Sequence, residues 1–155
     1  MSARPPSRRR WVPWALGLAA AGLAVSVYLW MGKRGDAPLV CGFLGGCISV
    51  NASPYSEVFG IPVAALGAVM YLFLAASAAV LLVARPNEAL AEALTLAGFI
   101  IALAGALFSL YLTAIEAFVL RAYCIWCLIS FALVSTLAVL WTRALSRETR
   151  EVERG

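Results

Sequence analysis

The chain has no histidine among its 155 residues. That excludes a Ser-His-Asp triad, histidine-ligated haem and most catalytic zinc sites, which depend on imidazole. Charge is scarce as well: Asp, Glu, Lys and Arg make up 13% of the chain, about half the share of an average soluble domain. No acidic residue stands in the middle of a long apolar run, which argues against a proton or cation path through those runs. The net charge of +4 does not describe a basic surface, because the arginines gather near the ends of the chain. Nucleic acid is therefore not an expected partner. Internal repeats are absent, and so are low-complexity tracts beyond alanine-rich apolar segments. Cysteine is rare, with four residues in all, and their positions carry most of the functional information.

What is abundant is apolar: 63% of the residues are hydrophobic, far above an ordinary soluble domain. Four runs, Trp11–Met31, Ile61–Ala84, Ala93–Ile115 and Tyr123–Thr142, each reach the roughly 20 residues that a membrane-spanning helix needs. Charges fall where the runs stop, at Lys33, Arg34, Arg85, Glu116, Arg121 and Arg143. Pro13 and Pro62 sit in the expected first turns of the first two runs, where a missing N–H costs little. Trp11, Trp14, Tyr28, Trp30, Tyr123 and Trp141 fall near run ends, as an interfacial aromatic belt does. The expected fold is an all-α integral membrane protein, a four-transmembrane-helix bundle of one domain. A basic segment 1–10 precedes it and a charged tail 143–155 follows. The "SRRRWV" start has the look of a secretory signal, but the apolar run exceeds the usual 7–15-residue signal core and no small-x-small site follows promptly. A retained first helix is the preferred reading.

Orientation follows from the basic residues. With four spans, both termini share a side with the connection between spans two and three. That side carries nine of the 12 basic residues, Arg4, Arg8, Arg9, Arg10, Arg85, Arg143, Arg147, Arg150 and Arg154, against Lys33, Arg34 and Arg121 on the other. The positive-inside rule makes the nine cytoplasmic. A multi-pass protein of the inner (plasma) membrane is expected, with both termini cytoplasmic. Cys41, Cys47, Cys124 and Cys127 then all face the periplasm or outside, where disulfides form and persist.

The connection "RPNEALAE" is short, and "EAFVLR" is shorter still. The first loop, 32–60, is long, and it holds "CGFLGGCISVNASPYSEVFGIP". Loops longer than about 12–15 residues in a compact domain are usually functional lids or disordered segments. This one is too apolar for a solvated linker, so it is expected to cap the outer ends of the helices, with a short helix around Tyr55–Phe59. Glu116, at the outer end of span three, and Arg121, before span four, are read by preference as solvated interfacial charges, the alternative being that they pair or tune the thiols.

Cys124 and Cys127 open the fourth run three residues apart, a spacing that puts them on nearly one helix face within disulfide reach. Free N–H groups at a helix start favour a thiolate. Cys124, nearer the end, is expected to meet other thiols from the aqueous side. Cys127, one turn deeper, is expected to point to the apolar bundle. Cys41 and Cys47 lie on a glycine-rich loop that can fold back or swing. A mobile pair and a fixed pair in one compartment suggest a relay, since exchange requires thiolate and disulfide sulfurs to touch. Two inert disulfides, or one zinc bound by the cysteines, are the alternatives. Zinc prefers Cys-x2–4-Cys spacing and would need its thiols kept reduced, so no metal is expected.

With those residues in view, the sequence resembles a bacterial member of the vitamin K epoxide reductase family. "CGFLGGC", then "NASPYSEVFGIP", then "SLYLTAIEAFVLRAYCIWC" carry the resemblance, which spans the chain from the first run to the fourth. It implies a four-helix bundle around a quinone, capped by the first extracytoplasmic loop. It further implies that Cys41 exchanges with a thioredoxin-like (DsbA-like) protein, that Cys47 relays to Cys124, and that Cys127 lies beside the quinone, menaquinone or ubiquinone. Ser53 matches the family's serine or threonine near that pocket, although a turn-forming hydroxyl beside Pro54 explains it equally well. Phe131 stands where vertebrate members carry tyrosine. Tyr71, Phe108, Tyr111, Trp126 and Phe131 are candidates for the pocket wall. Because only a charged tail follows the fourth run, the partner is expected to be a separate protein. The DsbB-type oxidase uses the same chemistry with its Cys-x-x-Cys in the first outer loop, so it is an analogue with the reverse order. The expected activity is quinone-coupled thiol oxidation that supports disulfide-bond formation. Alternatives are a reaction run mainly for quinone or vitamin K epoxide reduction, or a non-enzymatic subunit with structural disulfides.

Overall fold

A computed structural model describes residues 8–84 and 86–154 of the chain. Arg4 and Arg85, both part of the charge asymmetry, lie outside the described residues, as does the rest of 1–7. Four long helices dominate: α1 (Arg8–Arg34), α3 (Val63–Ala79), α4 (Glu88–Ile115) and α5 (Ile125–Arg154). A short helix, α2 (Cys47–Ala52), lies in the loop between the first two. All four long helices contain segments long and apolar enough to cross a membrane. The protein is a multi-pass helical membrane bundle.

The helices run longer than their apolar cores. The basic turn before Trp11 already belongs to α1, so Pro13 is an interior residue and not a first-turn one. Glu88–Glu92, read from sequence as connection, forms the first turns of α4. Asn87 explains this, since its side-chain oxygen accepts the Leu90 N–H at 2.9 Å, and an N-cap of this kind is worth about 1 kcal/mol. Glu88 in the first turn adds a favourable dipole contact. The "EAFVL" segment is helical as well, a π-helical turn over Glu116–Leu120 that continues α4. It stops at Arg121, which adopts a left-handed conformation (φ 50°) while the Ala122 N–H returns to the Glu116 carbonyl at 3.2 Å. A second π-helical turn, Val80–Ala84, ends α3.

In the bundle, α1 packs along α3 and α5, and α4 packs along α3 and α5. Small residues set the approach, as expected where lipid removes any hydrophobic drive between helices. A side chain at Gly22 would collide with the Tyr71 ring, and one at Gly98 with the indole of Trp141. Trp141 also meets Trp11 edge-on, with ring centroids 5.0 Å apart. The main core holds Val12, Ala19, Leu74, Ala102, Leu137 and Trp141, among others. Large apolar side chains such as Val69, Leu72, Ile100 and Leu107 point outward. A soluble monomer rarely exposes so much apolar surface, and here it suits lipid.

The first loop covers one end of the bundle. Its course is a 3-10 turn (Gly42–Leu44), α2, a second 3-10 turn (Pro54–Ser56), and a two-stranded hairpin of β1 (Glu57–Val58) and β2 (Ile61–Pro62). The strands are antiparallel, with Val58 opposite Ile61. Of the short helix expected around Tyr55–Phe59 only the 3-10 turn over Pro54–Ser56 forms, and the hairpin takes the rest. Phe59 (φ 52°) and Gly60 (φ 78°) are both left-handed, the geometry of a two-residue primed hairpin turn, which helical backbone cannot adopt. Helix forms instead at Cys47–Ala52. Pro62 caps α3.

Two sets of contacts fasten this cap. Tyr28 Oη donates to the Pro38 carbonyl at 3.0 Å and accepts the Val40 N–H at 2.8 Å, and Trp126 Nε1 donates to the Val40 carbonyl at 2.8 Å. On the other side Lys33 Nζ donates to the Asn51 carbonyl at 2.8 Å and to Ser56 Oγ at 2.6 Å, and pairs with Glu57 at 3.2 Å. The Asn51 amide donates to the Leu29 carbonyl at 3.3 Å. A second, smaller core forms beneath the cap, built on Leu29, Cys47 and Cys124.

Candidate active site

The cap brings the two cysteine pairs together. Cys41 precedes the 3-10 turn and Cys47 begins α2, so the intervening turn folds the first pair back on itself. The Cys47 thiol lies within hydrogen-bonding reach of both Cys41 and Cys124. Cys124 stands immediately before α5, and the Cys127 N–H donates to its Sγ at 3.4 Å. The thiols of Cys124 and Cys127 are likewise within hydrogen-bonding reach. All four are free thiols. The sulfurs thus form one unbroken series: Cys41, Cys47, Cys124, Cys127.

Burial differs along the series. Cys47 and Cys124 are both 0% exposed, whereas Cys41 and Cys127 are half-buried. Cys124 therefore does not face water, contrary to the reading from its helix-end position. Gly46 is the reason, because it brings the start of α2 so close to α5 that an added side chain would lie 2.5–2.9 Å from the Tyr123 backbone. Cys47 comes to rest on Cys124, and Cys41 packs at the margin of the same small core and stays partly exposed, between the exposed Val40 and Phe43 in the chain. Burial, with the neighbouring Cys41 and Cys124, pushes the Cys47 thiol up to about 12. Cys124 moves the opposite way. The Cys127 thiol donates to its sulfur and, helped by the Cys127 N–H, holds Cys124 below the ordinary thiol value.

At its inner end the series opens on a cavity of about 490 Å³ between the bundle and the cap, within the roughly 300–1,000 Å³ usual for small-molecule sites. Its lining includes Ser53, Tyr71, Phe108, Glu116, Cys127 and Ser130. Tyr71 Oη donates to the Ser130 carbonyl at 2.8 Å and lies 3.0 Å from the Ser130 hydroxyl. Ser53 is buried, and its hydroxyl donates to the Val50 carbonyl at 2.7 Å at the end of α2. It is at once a turn-forming hydroxyl and a wall residue. Tyr71 and Phe108 line the cavity. Tyr111, Trp126 and Phe131 are not among its lining residues. Tyr111 is 56% exposed and stacks on Phe108 with centroids 6.2 Å apart. Trp126 holds the cap. Ser130, three residues after Cys127, takes the cavity face that Phe131 was expected to fill.

Glu116 departs furthest from expectation. It is 2% exposed, not solvated, and its Oε2 accepts the Cys124 N–H at 3.0 Å. The Cys127 thiol is within hydrogen-bonding reach of the same carboxylate. Glu116 begins the π-helical turn, and after the left-handed Arg121 the chain doubles back so that the Ala122 and Cys124 N–H groups both reach Glu116, burying a residue that sequence placed at an interface. Two signals were available: an acid flanked by Ile115 and Ala117, and its place eight residues before the Cys-x-x-Cys.

Two thiol pairs in contact, ending at a buried apolar pocket inside a membrane bundle, limit the candidate families sharply. The model of the vitamin K epoxide reductase family matches residues 13–142. The chain belongs to the vitamin K epoxide reductase family. No curated protein matches it. Members are membrane oxidoreductases that couple thiol–disulfide chemistry to quinone-type electron carriers, and the family works with thioredoxin-like partners. The cavity fits a quinone head group chemically: its lining is largely apolar, as the ring would need, and includes Tyr71, Ser130, Glu116 and Cys127, whose polar side chains could meet the carbonyl oxygens. Among the described residues no cluster of histidine, cysteine or acidic side chains is arranged to hold a metal ion.

Proposed function

We propose that the protein reoxidises a separate thioredoxin-like, DsbA-like protein outside the cytoplasm and passes the two electrons to a membrane quinone. The observation that carries this reading is the unbroken series of sulfurs from the cap surface to the cavity. In this proposal Cys41 receives the partner's thiolate, Cys47 relays to Cys124, and Cys127 meets the quinone in a pocket walled by Ser53. The charge asymmetry supports an inner-membrane orientation with both termini cytoplasmic and all four cysteines outside.

Exchange proceeds by attack of a thiolate on a disulfide sulfur. With both pairs oxidised, a partner thiolate attacks Cys41 and frees Cys47; the partner's second thiol then releases Cys41 and leaves the partner oxidised. Cys47 attacks Cys124, which forms a Cys47–Cys124 bond and frees Cys127 with its electron pair at the cavity. Cys41 then attacks Cys47 and releases Cys124. The depressed Cys124 value suits that release, because a sulfur of lower pKa leaves faster. The raised Cys47 value keeps the relay thiol protonated at rest, which guards against idle exchange.

Purified protein, a reduced thioredoxin-like partner and a quinone, with partner oxidation followed for each single Cys→Ala variant, test the reading. Cys124→Ala and Cys127→Ala are expected to abolish quinone-dependent turnover. Cys41→Ala and Cys47→Ala are expected to block the protein partner while sparing a small dithiol. Full activity in Cys127→Ala overturns the mechanism.

A further inference from the structure

The reaction moves two protons as well as two electrons, and the thiol series accounts only for the electrons. We propose that Glu116 is the acid–base group at the inner end of the relay, taking the proton of the Cys127 thiol and giving it to a carbonyl oxygen of the electron acceptor. The inference rests on the quinone-coupled reading above and adds to it a catalytic carboxylate. Three observations place it there: Glu116 is 2% exposed, its side chain lies within hydrogen-bonding reach of the Cys127 thiol, and the residue lines the same cavity. A carboxylate buried to this degree at the end of a membrane-spanning helix is costly, and ionisable groups in such segments mark functional pathways by default.

The groups facing it are few. From α5 and the residue preceding it come Cys127 and Cys124, with Cys47 of the cap behind Cys124. Across the cavity stand Tyr71 of α3 and Tyr55 of the cap. Arg121 on its own side is exposed, and Lys33 of α1 is engaged by Glu57. Cys127 is thus the thiol best placed to share a proton with Glu116.

The balance closes. When the Cys124–Cys127 dithiol is oxidised, two S–H bonds break and one S–S bond forms. The electron pair goes to the quinone, whose two carbonyl oxygens become O–H groups. Glu116 carries the Cys127 proton to one oxygen and returns to its starting state; the Cys124 proton leaves to water, and the second oxygen takes one from water.

The competing role is structural. By accepting the Cys124 N–H, Glu116 could simply cap the start of α5. Glutamine separates the two roles, because its amide oxygen still accepts that bond but the group no longer titrates. In detergent, the reduced full-length protein would be mixed anaerobically with a soluble quinone, and single-turnover quinone reduction followed across pH. General acid–base groups contribute about 10²–10⁴-fold, so Glu116→Gln is expected to slow this step at least 100-fold and to flatten its pH profile. Glu116→Asp is expected to recover part of the rate with a displaced inflection. Melting temperatures of both variants check folding. A second readout needs no quinone: alkylation of Cys127 against pH in a background where the other three cysteines are alanine. Its inflection is expected to move to lower pH in Glu116→Gln, since removing a neighbouring carboxylate eases thiolate formation. A wild-type rate in Glu116→Gln, or a slowed rate that keeps the wild-type inflection, overturns the proposal and leaves the carboxylate as a cap. Failure of the wild-type protein itself to reduce quinone would instead overturn the quinone reading.

Discussion

At the scale of single residues, the site depends on neighbouring thiols having different environments. Cys47 and Cys124 are both buried and touch one another, yet one is pushed up and the other held down. The difference lies in donors: Cys124 accepts from the Cys127 thiol and N–H, whereas Cys47 gains mainly desolvation. A pH prediction follows for the reduced protein. Cys47 moves from an ordinary 9.0 to about 12, so above pH 9 the folded state retains a proton that the unfolded chain loses. Stability from this group is complete below about pH 9 and is lost as pH climbs toward 12. Melting temperature measured over that range should fall more steeply in the wild type than in Cys47→Ser. Parallel curves would show that Cys47 does not titrate as its burial requires.

At the scale of elements, α2 and the start of α5 make the site, and Gly46 sets their distance. An added methyl there meets backbone and not a flexible side chain, so one element must move. Overpacking of this kind costs about 1–3 kcal/mol, and the displacement acts directly on the approach of Cys47 to Cys124. Gly46→Ala is expected to slow electron transfer from Cys41–Cys47 to Cys124–Cys127 by tenfold or more. Direct oxidation of a small dithiol at the inner pair should change far less. Stopped-flow exchange with a protein donor and with a small dithiol checks this, and equal loss in both would point to general misfolding. The cap is otherwise held by paired tethers, Tyr28 with Trp126 on one side and Lys33 on the other. In the sequence Tyr28 and Lys33 were visible only as an aromatic and a charge near a helix end, and Trp126 only as a candidate for the pocket wall.

At the scale of the whole molecule, two cores sit one above the other with the cavity between bundle and cap. The bundle core gives a rigid frame of small-residue contacts, and the cap core contains the sulfurs. On the proposed function, electrons accepted at the cap reach the cavity without opening the bundle. On the proposed orientation, the cap lies outside and both chain ends lie in the cytoplasm. A reporter active only outside, inserted between Gly35 and Asp36, should be active, and the same reporter fused after Gly155 should be silent. The reverse pattern would invert the assignment of donor and compartment, while leaving the fold unchanged.

The sequence by itself determined the fold class, because four long apolar runs admit only membrane helices, which must satisfy their backbone internally. It also singled out the four cysteines, since rarity and spacing are properties of the chain alone. Tertiary structure decided which sulfur touches which, that Cys124 is buried, that Ser130 and not Phe131 faces the cavity, and that Glu116 is an interior group. The physical reason is common to all four. Each depends on how one element lies against another: the close approach permitted by Gly46, the phase of α5, and the return of the chain after Arg121 that sets the Cys124 N–H on the Glu116 carboxylate. None of these leaves a periodic trace in the residues concerned.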